Sequence, residues 1–140
     1  MTLPDPADDI RWCYRRRNPH CELSPWLVRF CPALITTNHL RTPTHTHHIF
    51  HRGGRHDLWS NLVNVSAALH PTWMHETCPI DARVLCLFVK WQKGELDLDE
   101  LNRAAGAVRP DAQPVLAWLS TAAPQYAWAQ RLARELASNL

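Results

Sequence analysis

The stretch that decides the fold is residues 43–76, PTHTHHIFHRGGRHDLWSNLVNVSAALHPTWMHE, which hold seven of the nine histidines of this 140-residue chain. Residues 44–50 predict a β-strand, because Thr, Ile and Phe favour strands. The Gly-Gly pair at 53–54 predicts a turn, since glycine tolerates positive φ. Residues 61–65 predict a second, apolar strand that pairs with the first, and the serine after it can cap a helix that runs through residue 70.

Two adjacent histidines, His47 and His48, stand on the first predicted strand. Successive side chains of a strand point to opposite faces, so one of the pair can hold a metal ion while the other faces the substrate water. His45 shares a face with His47 and could reach the same ion. Plain surface polarity or adventitious metal binding would also explain a histidine-rich strand, so the pair has meaning only together with the residues that follow.

The order His47-His48, Asn61, His70 resembles the motif of the HNH endonucleases. Asn61 follows His48 by thirteen residues and His70 follows Asn61 by nine, with the Gly-Gly turn between them. The letters DLWSNL are also similar to the D-x-x-x-N-L of that family. On these residues the chain resembles the ββα-metal nuclease finger, and in particular the small phage-type HNH proteins, over residues 11–105.

The resemblance implies an α+β fold with a ββα-metal (His-Me) finger embedded in a mostly helical domain. Residues 1–106 would form the nuclease domain, with the finger core at 43–76. Residues 107–140 would form a C-terminal helical arm, which docks either on this domain or on a second subunit to make a homodimer. Caps and apolar periodicity predict helices at residues 5–17, 81–91, 100–105, 111–122 and 124–138.

The resemblance also implies roles for the motif residues. His48 would be the general base, since a neutral imidazole accepts a proton near physiological pH, and Asn61 would orient its ring. His47 and His70 would hold one divalent cation at the scissile phosphate. Imidazole suits Zn, Ni or Mn while Mg prefers oxygen ligands, so these residues leave the ion open among Mg, Mn, Ni and Zn.

His75 is the candidate for a third metal ligand. Phage-type HNH proteins often carry a histidine four residues after the last histidine of the motif, whereas His75 follows His70 by five residues. Five residues of a regular α-helix turn through about 500°, which would point His75 away from His70. A bulge near Pro71 would bring it back.

The structural zinc of the family is not expected here. The segment NPHCELS resembles the family's N-P-x-C-E-x-C, but its second cysteine is replaced by Ser24, and the other cysteine pair falls on Ser66 and Leu69. Zinc takes about four N or S ligands, which Cys21 alone cannot supply. We expect the apolar segment 25–41 to pack where the zinc knuckle would have braced the finger.

The chain has five cysteines, an odd number with irregular spacing. This pattern indicates reduced thiols in a cytosol rather than a disulfide framework. A replacement metal site made from Cys13, Cys21, Cys31 and a histidine is an alternative, although its spacing matches no known knuckle. Together with an N-terminus, MTLPDPADDI, that does not read as a signal peptide, the cysteines favour the cytoplasm of a bacterial host, with a phage-encoded origin included.

Positive charge is concentrated in the first half of the chain. Residues 10–60 hold eight arginines against only Glu22 and Asp57. Such a surplus is the expected footprint of a phosphate-bearing partner, here double-stranded DNA, although a solvated basic face would give the same count. The arginines that we expect to contact the DNA backbone end the first helix or flank the glycine turn: Arg15, Arg16, Arg17, Arg52 and Arg55.

The sequence therefore predicts a metal-dependent HNH endonuclease that nicks or cuts DNA and leaves 5′-phosphate and 3′-hydroxyl ends. The main alternative is a catalytically silent DNA-binding or phage-packaging accessory module on the same fold. A nuclease toxin with an immunity partner is a third reading, with no support beyond the shared motif. No apolar run approaches the ~20 residues that span a bilayer, so no membrane partner is expected.

Overall fold

The chain folds as an α+β protein in which a two-stranded antiparallel sheet lies among helices. The computed structural model describes residues 6–35, 43–51 and 57–140, with only the backbone described at 6–9. The elements are α1 (Pro6–Arg17), α2 (Ser24–Phe30), β1 (Thr44–His48), β2 (Leu62–Ser66), a π-helix (His70–Thr77), α3 (Pro79–Gln92), α4 (Leu98–Ala104), α5 (Pro114–Thr121) and α6 (Ala127–Asn139). Single 3-10 turns lie at Pro32–Leu34 and Trp59–Asn61. The predicted α+β class is confirmed.

The two strands pair as the sequence predicts, with His47 opposite Val63 and His48 opposite Leu62. The backbone N–H of Ile49 extends the pairing by donating to the carbonyl of Asn61 over 2.9 Å. Every residue of β2 is buried, because helices cover both faces of the sheet. The side chains of β1 alternate between the two faces of the sheet, so adjacent histidines on this strand point to opposite sides.

Two local predictions, one at each end of β2, are wrong. Asn61 belongs to a 3-10 turn rather than to the second strand. Ser66 ends β2 instead of starting a helix, and its Oγ accepts the N–H of Ala68 over 3.2 Å in a tight turn. The helix begins only at His70. A proline at the following position suits a helix start, because its missing N–H would have no partner there.

The core is built around α3, whose residues from Val84 to Lys90 are all buried. On α2, Leu27 is fully buried and Trp26 meets the edge of Phe88 with ring centroids 5.0 Å apart. The first residues of the 25–41 segment belong to α2, and residues 36–41 lie outside the described part of the chain, so its replacement of a zinc knuckle stays a prediction. No helix in that part is long and apolar enough to cross a bilayer.

The helices of residues 107–140 pack on the rest of the chain. Phe30 stacks on Trp128 of α6 with ring centroids 5.3 Å apart. The carboxylate of Asp81, a fully buried residue at the start of α3, accepts the backbone N–H groups of Gln125 and Tyr126 over 3.1 and 2.8 Å. The stacking holds the start of α6 against α2, and the backbone capping holds it against α3.

Glu22 links three elements of the fold. Its carboxylate accepts the Tyr14 hydroxyl of α1 over 2.6 Å and the backbone N–H of Asn64 in β2 over 2.7 Å. It also pairs with Lys93, just after α3. Burial and the carboxylate of Glu22 both raise the pKa of Tyr14, so this hydroxyl remains a donor.

We expect Glu22→Ala to lower the free energy of unfolding by about 2–6 kcal/mol, because it strands two buried donors at about 1–3 kcal/mol each. Lys93→Ala is the matched control. It removes a partly exposed ammonium that pairs with the same carboxylate and also contacts Asn18 and Glu95, so its cost should stay near ~1 kcal/mol. Urea unfolding of the three proteins measures both effects. Equal losses in the two variants would contradict the bracing role of Glu22.

Candidate metal centre

Three histidines from β1 and the π-helix turn their ring nitrogens toward one another. The Nδ1 atom of His47 lies 3.2 Å from Nε2 of His70. The Nε2 atom of His75 lies 3.0 Å from the same His70 nitrogen. All three candidate ligand atoms lie within 4.8 Å of one another.

The π-helix is what brings His75 to this point. Backbone N–H groups of Met74 and Cys78 bond carbonyls five residues earlier, on Leu69 and Trp73, over 3.1 and 2.8 Å. Such i→i+5 bonds widen the turn, so residues five apart lie on the same side of the helix. The α-helical geometry that would have turned His75 away does not form, and the bulge considered near Pro71 extends over the whole of His70–Thr77.

The distances from the His70 nitrogen to the nitrogens of His47 and His75 fit a shared metal ion. Imidazole nitrogens bind Zn²⁺ at about 2.0–2.1 Å, so neighbouring ligands around one ion lie about 3.0–3.4 Å apart. Burial, followed by the neighbouring His70 and His75, lowers the pKa of His47 from 6.5 to about 3. His47 is therefore neutral at physiological pH, which is the form that binds metals. These three side chains could hold one ion.

His45 stands one step outside this group. It is exposed, and its Nδ1 lies 3.3 Å from Nδ1 of His70, the ring nitrogen that faces away from His47 and His75. A metal-binding imidazole commonly uses its second nitrogen in a hydrogen bond that fixes the ring. The position of His45 fits this supporting contact better than a fourth ligand.

His48 points to the other face of β1 and meets Asp57. Its Nε2 lies 2.5 Å from Oδ1 of Asp57, whose Oδ2 lies 3.1 Å from Nε of Arg11. The Asp57 side chain is almost fully buried and that of His48 is 12% exposed. A carboxylate only accepts hydrogen bonds, so Nε2 carries the proton and Nδ1 of a neutral ring is the proton acceptor. Among the described residues, this Nδ1 has no partner.

Asn61 holds the chain beyond β1. It is fully buried, its side-chain Oδ1 accepts the N–H of Phe50 over 2.8 Å, and its Nδ2 donates to the Phe50 carbonyl over 2.9 Å. Asn61 thereby fixes the backbone two residues after His48. The side-chain partner that His48 itself contacts is Asp57, which our sequence analysis did not assign to the site.

A cleft of about 320 Å³ opens beside the histidines. His47 and His48 both line it, although they leave β1 on opposite faces. Arg83 of α3 also lines the cleft and was not anticipated from the sequence. His51, three residues after the end of β1, lines the cleft as well. Its φ is positive, 53°, a conformation that a non-glycine residue adopts rarely. The remaining lining residues are Ile49, Met74, His75 and Pro79.

The structure describes three of the five arginines that the sequence predicts to contact DNA. Arg15, Arg16 and Arg17 are all exposed at the end of α1. The Nε of Arg15 donates to Oγ1 of Thr46 on β1 over 2.7 Å, so this helix end lies against the strand that carries His47. The guanidinium of Arg16 lies 4.6 Å from the ring centroid of the exposed Trp12. Arg52 and Arg55 lie outside the described residues, as does the Gly-Gly turn.

The cysteine positions stay apart from this centre. The thiols of Cys13, Cys21 and Cys31 are free, and Ser24 is buried at the position of the missing knuckle cysteine. Within the ranges that the structure describes, His47, His70 and His75 are the one cluster of three potential ligands close enough to share an ion. The absence of a structural zinc stays a prediction.

No protein-family model, curated protein or solved structure matches this chain. The HNH interpretation therefore depends on the motif and on the geometry of the site. One signal in the sequence could have identified Asp57 as a site residue. It and Glu22 are the two acids among eight arginines in residues 10–60, and both have nearly buried side chains.

The stability of the metal-free protein should fall as pH drops below about 6.5. Between this value and about 3, the unfolded chain binds a proton that folded His47 does not. The free energy of unfolding therefore falls by up to ~1.4 kcal/mol per pH unit, and the fall ends below the folded pKa. Urea unfolding of dialysed protein from pH 7 to 4 measures this slope. His47→Gln, which cannot titrate, should give a flatter profile, and parallel profiles would contradict the assignment.

Proposed function

We propose that this protein is a metal-dependent DNA endonuclease with a ββα-metal finger of the HNH kind. The observation that carries the proposal is the spacing of 3.0 and 3.2 Å between the nitrogens of His47, His70 and His75. This group lies beside His48, whose Nδ1 is the proton-accepting nitrogen of the neutral ring. The elements follow the order of such a finger, with a strand, a second strand and a helix.

In the proposed reaction, His47, His70 and His75 hold one divalent cation through neutral imidazoles. A cation bound there would act as a Lewis acid at the scissile phosphate and stabilise the departing 3′ oxygen. With three nitrogen ligands, the centre favours Zn or Ni over Mg and Mn, which prefer oxygen. The three ligands carry no charge, so they would leave the charge of the cation available to an anionic substrate.

The general base in this proposal is His48. Asp57 accepts the Nε2 proton, which leaves Nδ1 to take a proton from the attacking water. Arg11 lies on the second carboxylate oxygen of Asp57, so this acid is held from two sides. Asn61 fixes the backbone of Phe50 and with it the end of the strand that carries His48.

Double-stranded DNA is the proposed substrate. The exposed Arg15, Arg16 and Arg17 would contact phosphates of the backbone, and such contacts position a duplex without reading its sequence. Arg15 already reaches Thr46 on β1, so DNA bound at this helix end would pass close to the strand that bears the site. We propose the same contact with DNA phosphates for Arg52 and Arg55, as the sequence predicts.

We expect His48→Ala to abolish DNA cleavage while metal binding remains, because the change removes the base but no ligand. The loss should be about 10²–10⁴-fold, the usual contribution of a positioned base. Replacing a ligand should instead abolish activity by lowering the affinity for the metal ion. The three ligand variants are His47→Ala, His70→Ala and His75→Ala. Plasmid nicking at saturating Mn²⁺, beside calorimetric titration of the metal, separates the two classes. A wild type that binds the ion but cleaves no DNA would favour the silent accessory module, and an active His48→Ala would move the base to another residue.

Asp57→Asn should lower the cleavage rate by about 10²–10⁴-fold, since an amide no longer enforces the Nε2–H tautomer of His48. Metal affinity should not change, because Asp57 contacts no ligand. Nitrogen-15 NMR of the His48 ring should show protonated Nε2 in the wild type and a tautomer mixture in the variant. Arg11→Gln, which keeps the carboxylate, is the control and should have a smaller effect. Full cleavage by Asp57→Asn would remove Asp57 from the mechanism.

A further inference from the structure

Arg83 is fixed in the cleft that His47 and His75 line, and one edge of its guanidinium is left open. Its Nε donates to the carbonyl of Ile49 over 2.9 Å. Its Cζ lies 4.6 Å from the ring centroid of Phe50 and 5.3 Å from that of Trp118. The Nε edge and the ring contacts together hold the guanidinium in place. The free donors are the N–H groups of its two Nη atoms.

No carboxylate in the described part of the chain balances the charge of this guanidinium. Among the described residues, Arg83 forms no ion pair with a carboxylate, and its Nη atoms have no hydrogen-bond partner. Burial lowers its pKa, which reflects the cost of keeping a cation away from water. A partly buried charge is normally paired. The open edge therefore presents two N–H groups that suit an anionic ligand.

We propose that the two Nη groups of Arg83 bind the non-bridging oxygens of a nucleic-acid phosphodiester in this cleft, beside the metal ligands. This inference rests on the proposed function for the identity of the anion. The planar guanidinium presents two parallel N–H donors that match the oxygens of a phosphate. His47 and His75 line the same cleft, so the group bound by Arg83 would lie next to the proposed metal.

A purely structural role is the competing explanation. The contacts with Ile49, Phe50 and Trp118 join the segment after β1 to α3 and α5, and they would stabilise the fold without any ligand. A structural role predicts that loss of Arg83 lowers stability but leaves the recognition of phosphate charge unchanged. The two explanations therefore differ in whether binding depends on the negative charge of the ligand.

The experiment compares a charged and a neutral probe. Thymidylyl-thymidine carries one phosphodiester charge, and its methylphosphonate analogue has the same shape without that charge. Both are titrated into Mn²⁺-loaded protein that carries His48→Ala, with chromatography to show that the charged probe stays intact. Arg83→Gln should weaken binding of the charged probe by roughly 10–100-fold, the loss expected for hydrogen bonds to a charged group, and should not change binding of the neutral probe.

Two further variants complete the design. Arg83→Lys keeps the charge but not the paired donors. Its affinity for the charged probe should therefore fall between that of the parent and that of Arg83→Gln. Arg29→Gln is the matched control, because Arg29 also lies over a tryptophan, with its Cζ 5.4 Å from the Trp26 ring centroid, but does not line the cleft. It should bind both probes like the parent. Metal titration of every variant should give an unchanged affinity.

Equal binding of the charged probe by Arg83→Gln and its parent would overturn the proposal. If Arg83→Gln does not fold, the question is decided by Arg83→Lys and by the His48→Ala parent loaded with diamagnetic Zn²⁺, in which the Nε–H resonance of Arg83 should shift with the charged probe alone. The proposal would also be overturned if the Nε–H resonance did not shift and Arg83→Lys bound the charged probe as tightly as the parent. Charge-dependent binding without any plasmid nicking would support Arg83 as a phosphate ligand while contradicting the endonuclease proposal, so the two failures are distinguishable.

Discussion

The antiparallel pairing of β1 with β2 is the constraint on which the histidine site depends. Its register places His47 opposite Val63 and His48 opposite Leu62. Because side chains alternate along a strand, this register sends His47 toward the π-helix and His48 toward Asp57. A slip by one residue would exchange the two faces and separate His47 from His70. The hydrogen bonds of Asn61 to both backbone groups of Phe50 oppose such a slip.

The nearly buried carboxylate of Glu22 braces this sheet. Glu22 joins α1, β2 and the end of α3 through Tyr14, Asn64 and Lys93. A second buried cation, Lys90, lies next to this network, where its Nζ donates to the Tyr14 hydroxyl and to Glu95 over 3.1 and 3.0 Å. These contacts cross from one element to another, as the ligands of a structural metal would, and each buried donor has an acceptor.

The cleft combines neutral ligands with an unbalanced cation. His47 is kept neutral by burial and by its histidine neighbours, and Arg83 brings a positive charge without a carboxylate among the described residues. An ion held by three imidazoles would keep its charge, unlike one held by carboxylates. The electrostatics of the cleft therefore favour an anionic ligand, which agrees with a phosphodiester substrate and with the basic end of α1.

Much of the fold could be predicted from local sequence patterns. The paired strands, α1, α3 and the α+β class follow from propensity, capping and apolar periodicity, which act between residues close in the chain. The same is true of the histidine pair and of the candidate ligands His47 and His70, because their identities and spacing are visible in the sequence. The assignment of Ser66 as a helix cap was wrong, since β2 continues to that residue and the turn after it delays the helix to His70.

The position of His75 was decided by the tertiary structure, because five residues return to the same side only in a π-helix. The contacts of Asp57 with His48 and Arg11, and the placement of Arg83 between Ile49, Phe50 and Trp118, join residues far apart in the chain. No local pattern predicts such contacts. The sequence alone therefore determined which side chains could do the chemistry, and the packing of α1, the π-helix and α3 around two strands decided which of them meet.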